Sequence, residues 1–234
     1  MAFQIAIDGP VAAGKGTVAR LVAERLGFLY VDTGAMYRAT ALLAKQKKID
    51  IHDEPAIVAA LKESTIFLRN PEGEESDGRL TTVLLNGEDV SWKIRTPEIG
   101  QAASVVAAQA DVRSQLVLQQ QAIARSQNVV MEGRDIAIRV LPSAQLKLYL
   151  TANEVVRAKR RHLELQFRGQ DIEFSQVLNE LMERDYLDMH RAIDPLQITD
   201  EHLVIDTSDL GIEKIVDVIE VKAKVLMESH DKIT

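Results

Sequence analysis

Gly9-Pro10-Val11-Ala12-Ala13-Gly14-Lys15-Gly16-Thr17 follows directly on the apolar run Phe3-Gln4-Ile5-Ala6-Ile7-Asp8 and precedes an amphipathic pattern carried by Val18, Leu21, Val22 and Leu26. A strand, a glycine-rich loop and a helix in that order form the setting of a phosphate-binding loop. Glycines let the backbone curl until several N–H groups converge on one phosphate chain. The helix N-terminus behind the loop adds about half a unit of positive charge. Gly9, Pro10, Val11, Ala12, Ala13, Gly14, Lys15, Gly16 and Thr17 are therefore the candidate cradle of a nucleoside triphosphate, with Lys15 reaching the β- and γ-phosphates. The strict pattern places Ser or Thr directly after the lysine; here Gly16 stands there and Thr17 follows.

The chain has 234 residues, enough for one α/β domain with insertions or for two small domains. Its 28 basic residues against 35 acidic ones give a net charge of −7, which argues against a general nucleic-acid binder. Without cysteine there are no disulfides and no thiolate zinc sites, and the five scattered histidines show no metal-ligand spacing. A chain that runs straight into a core strand is expected to carry no signal peptide, and no apolar run reaches membrane-spanning length. These features predict a cytoplasmic protein acting on small molecules without nucleic acid or membrane partners.

Apolar runs at Phe3 to Asp8, Phe28 to Asp32, Asn128 to Glu132, Leu146 to Thr151 and His202 to Thr207 are predicted as buried strands alternating with helices. This pattern gives an α/β fold, with a five-stranded parallel sheet flanked by helices and ligands at the carboxyl ends of the strands. A small antiparallel insertion interrupts it, with strands near Thr65 to Leu68 and Leu80 to Leu85 and a turn at Asn86-Gly87. The acidic stretch Asn70 to Gly78 between them is expected to be a mobile, solvated tip. Trp92 is expected to pack rather than stack on a base, and the apolar stripe from Ile212 to Leu226 to form a core-facing terminal helix.

Charged residues gather where strands end. Asp32 or Thr33 can cap the next helix, while the Thr33 hydroxyl and the Arg38 fork also suit a second phosphate. Arg134 and Asp135 close the third strand, where buried charges need partners or a function; they either pair with each other or split into a phosphate ligand and a reader of a base amino group. Arg157, Lys159, Arg160, Arg161 and Arg168 crowd one helical segment in an acidic protein. They suit a clamp that swings onto a transferring phosphoryl group and excludes water. Arg184, Asp188 and Arg191 are spaced to share one helix face, a carboxylate for sugar hydroxyls between two phosphate-facing arginines.

In this order the motifs resemble the bacterial-type cytidylate kinases over nearly the whole chain. The Gly-Lys-Gly-Thr ending is the form found in nucleoside-monophosphate kinases. The insertion followed by Gly87-Glu88-Asp89-Val90-Ser91 and Ile94-Arg95-Thr96 makes the resemblance specific. It implies a P-loop kinase fold: a core of residues 1–60 and 110–234, a helical lid near 153–170, and a CMP-binding insertion over 61–109. It implies phosphoryl transfer from ATP to CMP or dCMP with Mg²⁺ by a self-contained monomer. Carried over by position, the catalytic set is Lys15, Arg134, Arg157, Arg161 and Arg191. Thr33, Arg38, Ser104, Arg113, Arg134, Asp135, Arg184, Asp188 and Arg191 would hold CMP, with Ser104, Arg113 and Asp135 on the cytosine. Thr17 would face the Mg²⁺.

The chain departs from the family pattern at Ala137-Ile138, where Gly-Thr is usual, at Gln121 in place of Arg, and at Glu132 in place of Asp. A GTPase switch would need Asn-Lys-x-Asp and Asp-x-x-Gly motifs, and neither occurs. A non-catalytic nucleotide-binding module would have little use for the arginine set. A kinase of another pyrimidine monophosphate such as UMP differs only in polar contacts to the base.

Overall fold

The computed structural model describes residues 2–167 and 169–231; Arg168, one of the crowded lid arginines, lies outside them. The elements run β1 (Gln4–Asp8), α1 (Lys15–Leu26), β2 (Leu29–Asp32), α2 (Thr33–Gln46), α3 (Glu54–Lys62), β3 (Ile66–Arg69), β4 (Thr82–Leu85), β5 (Glu88–Asp89), α4 (Pro97–Ala107), α5 (Ala110–Ser126), β6 (Val129–Gly133), β7 (Leu146–Thr151), α6 (Glu154–Phe167), α7 (Phe174–His190), β8 (Leu203–Asp206) and α8 (Ile212–Asp231). Five strands form a parallel sheet in the order β2-β6-β1-β7-β8, and β3-β4-β5 form a small antiparallel sheet.

Alternation along β1 divides the core. Ile5 and Ile7 pack with Val18, Val22, Ile215 and Ile219 of α1 and α8, while Ala6 joins Met36, Leu116 and Met131 on the other face. The insertion has no core of its own: Leu68, Val83, Leu85, Val90 and Ile94 belong to the second cluster. Pairing of Asp8 with Gly133 and of Asp32 with Glu132 brings the ends of β1, β6 and β2 to one edge. The phosphate loop, the start of α2 and the Gly133-Arg134-Asp135 turn therefore face a common space.

Four expectations need correction. The acidic tip is exposed to solvent, as expected, but it is tied to the fold by side-chain bonds rather than loose. Arg69 binds Glu75 with both terminal nitrogens, at 2.6 and 2.5 Å, and Asn70 caps the exposed edge of β2 through Tyr30 N–H and the Phe28 carbonyl. Trp92 is not packed inside; it is 47% exposed and donates its indole N–H to Asp77 at 2.9 Å. β8 is an edge strand with Leu203 and Val204 exposed, not a buried one. Arg191 lies just past the end of α7, with extended ψ of 143°, so it does not share that helix's face with Arg184 and Asp188.

Gly9 is where the loop can be tested through the fold. Its φ is +149°, and a Cβ there would lie 2.0 Å from the Leu150 carbonyl oxygen of the neighbouring strand. Backbone cannot yield as a side chain tip can. Gly9→Ala is expected to lower unfolding free energy by about 3 kcal/mol or more, read as a fall in the urea midpoint; an unchanged midpoint would contradict this packing.

Candidate active site

The loop leaves β1, takes left-handed φ at Ala12 (57°) and Gly14 (86°), and enters α1 at Lys15. No side chain caps α1, so the N–H groups of its first turn face the cleft without a capping partner. The departure at Gly16 has a steric reason. A Cβ there would stand 3.1 Å from Leu80 of the insertion and 3.2 Å from the Tyr30 hydroxyl, so a Ser or Thr would crowd both.

A cavity of about 340 Å³ opens before the loop. Val11, Ala12 and Gly14 through Thr17 line one end; Thr33, Arg38, Arg113, Arg134, Asp135, Arg184, Asp188 and Arg191 line the rest. Arg38 and Arg184 also line an adjoining space of about 380 Å³ with Arg161 and Ser104. A larger cavity of about 560 Å³ lies behind α1, against the insertion tip, and contains none of these groups except that Leu80 borders both.

Lys15 is buried and donates to the Pro10 carbonyl at 2.8 Å, with the Glu132 carboxylate 4.0 Å away. Burial, reinforced by Arg134, lowers its pKa to about 7 against the partial support of Glu132. Glu132 is itself pushed up by burial and by Asp32. Its extra methylene relative to Asp also places it 3.4 Å from the Tyr30 hydroxyl. Asp32 caps α2 by accepting from Ala35 N–H at 2.9 Å and binds Arg95 at 2.7 Å. Burial raises its pKa, and Arg95 more than offsets this, holding the carboxyl below its usual range.

At the far end Arg113, 2% exposed, bonds Asp135 at 2.5 Å, Asp194 at 3.0 Å and the Ala107 carbonyl at 3.3 Å. Arg191 stands 3.3 Å from the other oxygen of Asp135. Burial pushes the Asp135 carboxyl up, and the two guanidiniums keep it in an ion pair. Arg134 instead bonds Asp188 at 2.7 Å. The adjacent charges at the end of β6 therefore bond different side chains and do not pair with each other. The turn that carries them is pinned by Asp8, which accepts the N–H groups of Ile136 and Ala137 at 2.8 and 2.9 Å.

Arg38 and Arg184 make no hydrogen bond or ion pair among the described residues, and the Nε of Arg184 is buried without a partner. Burial lowers Arg38 to about 10, helped by Arg95; burial and Arg134 lower Arg184. Positive charge here exceeds what the protein neutralises, which is the condition of an anion site.

The structure does not bring every expected residue to the cleft. Ser104 is exposed on α4, bonds Gly100 and lines only the adjoining space, away from Arg113 and Asp135. The Thr33 hydroxyl gives its proton to the Glu132 carbonyl at 2.8 Å, so in this arrangement it accepts and does not donate to a phosphate. Arg157 is buried at the root of α6 and bonds Asp185 at 2.5 Å, so it is not free to swing onto a phosphoryl group. Arg161, 39% exposed and paired with Glu164, keeps that freedom. Sequence reasoning passed over Arg95 and Tyr37, which both line the cleft; Arg95 had only its place in Ile94-Arg95-Thr96 to mark it.

The family model for cytidylate kinase matches residues 5–225. The chain belongs to the cytidylate kinase family. It is 44% identical to the cytidylate kinase of Caldicellulosiruptor bescii over 225 residues, covering 96% of this chain and 97% of that one. The cytidylate kinase of Pelotomaculum thermopropionicum is 46% identical over 215 residues, covering 92% and 93%. An uncharacterized protein from Eubacterium ventriosum matches in structure at a TM-score of 0.53 and 13% identity, covering 96% and 99%; that likeness concerns the fold alone. Membership in the cytidylate kinases makes ATP the donor nucleotide. Among the described residues, no helix is long and apolar enough to cross a membrane.

Proposed function

We infer that this protein transfers the γ-phosphoryl group of ATP to CMP or dCMP, giving ADP and CDP or dCDP. One observation carries the reading: Arg38 and Arg184, two guanidiniums with no hydrogen bond or ion pair among the described residues, share a cleft with the lysine of a phosphate loop. Uncompensated positive charge opposite a donor loop suits two phosphates brought together. Phosphoryl transfer depends on such positioning and neutralisation more than on a strong base.

In this reading Lys15 and the amides of residues 9–17 hold the donor phosphates. Arg38, Arg134, Arg184 and Arg191 draw the acceptor phosphate toward them. Asp188, steadied by Arg134, accepts from the sugar, and Thr33 accepts beside it. Asp135, fixed by Arg113 and Arg191, accepts from the cytosine amino group; uracil presents a carbonyl there and would meet a carboxylate. Arg161 completes the charge when the lid, residues 153–170, closes over the core of residues 1–60 and 110–234. The insertion, residues 61–109, walls the acceptor side through Arg95 and Leu80.

Thr17 and Glu132 offer oxygen donors beside the loop, the right chemistry for a hard cation that keeps several waters and binds mainly through nucleotide phosphates. When bound with ATP, Mg²⁺ would neutralise developing charge on the β- and γ-oxygens.

The lowered pKa of Lys15 gives a pH test. The free amine titrates near 7, and a bound triphosphate favours the ammonium form and raises that value. ATP affinity is therefore full below pH 7 and falls by up to about tenfold per pH unit above it. Calorimetric titration between pH 7.5 and 9 checks this; a flat profile in the wild type would contradict it, whereas Lys15→Arg is expected to be flat. ADP release from ATP that depends on added CMP tests the function itself.

A further inference from the structure

The tip of the phosphate loop is gripped from outside by a buried ion pair. Arg157 and Asp185 are 4% and 7% exposed, and Arg157 Nη1 donates to Asp185 Oδ2 at 2.5 Å. Both also hold Val11. Its N–H donates to Asp185 Oδ1 at 3.3 Å, and its carbonyl accepts from Arg157 Nη1 at 3.1 Å. Arg157 Nε donates to the Ala152 carbonyl at 3.0 Å, just past β7. The planar guanidinium holds its acceptors in a fixed arrangement, so the end of β7, the start of α6, α7 and the loop are locked together.

The place of this lock matters. Val11 immediately precedes Ala12, whose φ of 57° is unfavourable for a residue with a Cβ. Such a conformation persists only where its surroundings impose it. On α7, Asp185 sits directly beside Arg184 and one turn before Asp188, both of which line the acceptor part of the cleft. One turn of helix therefore meets the donor loop with one residue and the acceptor space with two others.

We propose that Arg157 and Asp185 are positioning residues that fix the Val11 peptide, setting the loop's phosphate-binding shape and its register against the acceptor groups of α7. This rests on the reading of residues 9–17 as the ATP cradle. An ion pair that served stability alone would be replaceable by apolar side chains of similar volume. Such a replacement fills the space but can neither accept the Val11 N–H nor donate to the Val11 carbonyl.

Arg157→Met and Asp185→Leu, singly and combined, separate the two roles. Each single variant leaves an unpaired buried charge, and its Tm falls. The double variant is expected to recover most of the wild-type Tm while its ATP dissociation constant and KM rise about tenfold or more. Its CMP dissociation constant, measured without ATP, stays within about twofold of wild type. A double variant with wild-type ATP affinity and KM overturns the proposal. Should the double variant fold poorly, Arg157→Lys decides: it keeps the charge opposite Asp185 but not the fork. Raised ATP KM at near wild-type Tm supports the proposal, and unchanged KM overturns it. A wild-type protein that fails to bind ATP would instead remove the donor reading and this inference with it.

Discussion

Lys15→Ala is expected to abolish turnover, lowering kcat by about 10³-fold or more, while CMP still binds with wild-type affinity. Lys15 is the cation that residues 9–17 themselves carry. It is folded back on the Pro10 carbonyl at 2.8 Å, a bond it can exchange for a phosphate oxygen. Of the guanidiniums assigned to the acceptor, Arg38 and Arg184 lie on α2 and α7 and Arg191 just past α7; Arg134, past the end of β6, acts on Lys15 through its charge, and none of the four hydrogen-bonds Lys15 among the described residues. Removing the lysine breaks no hydrogen bond of the acceptor groups and relieves repulsion at Arg134, so acceptor binding is retained. Steady-state ADP release and calorimetric CMP titration on the same preparation check both halves; wild-type turnover in this variant would remove the donor assignment.

Asp135→Ala is expected to cut the preference for CMP over UMP by about 10²-fold in kcat/KM, with ATP binding changed by no more than about threefold. A carboxylate that accepts the cytosine amino group repels the uracil carbonyl at the same place, so its loss erases both the attraction and the rejection. The surroundings add a stability cost. Arg113 is almost wholly buried and bonded to Asp135 at 2.5 Å, with Asp194 as its remaining carboxylate. Breaking such a pair costs about 3–5 kcal/mol when nothing else compensates, so Asp194 brings the expected loss toward the lower end. Asp135→Asn keeps the shape and one acceptor, and is expected to lose preference with a smaller drop in Tm. An equal loss of preference on replacing the exposed Asp209 would refute the assignment.

The parts legible in the sequence were those whose signal is local. Buried parallel strands are short apolar runs, and the five strands of the parallel sheet match their predicted runs to within a residue, although β8 is exposed; the two-residue β5, polar at both positions, carries no such signal. The loop carries its own spacing, and the charged residues at the ends of β2 and β6 marked the cleft because strand ends converge in this topology. What could not be read depends on partners distant along the chain. Nothing local distinguishes Arg157, drawn inward by Asp185, from Arg161, left at the surface four residues on. Nothing in the acidic tip announces that Arg69 and Trp92 would tie it down. Ser104 matched the family by position, yet the turn of α4 sets it outward while Ala103 and Ala107 face the cleft. The irregularity at Gly16 was visible at once, but its cause, the approach of Leu80 and Tyr30, needed the insertion folded against α1.

The central claim is that this cleft joins ATP to a cytidine monophosphate. A coupled assay of ADP release, with ATP held constant and CMP, dCMP, UMP and AMP supplied in turn, tests it most directly. The account predicts rapid release with CMP or dCMP, much slower release with UMP and AMP, and little without an acceptor. Failure of all four acceptors to stimulate ADP release, or equal rates with UMP and CMP, would contradict it.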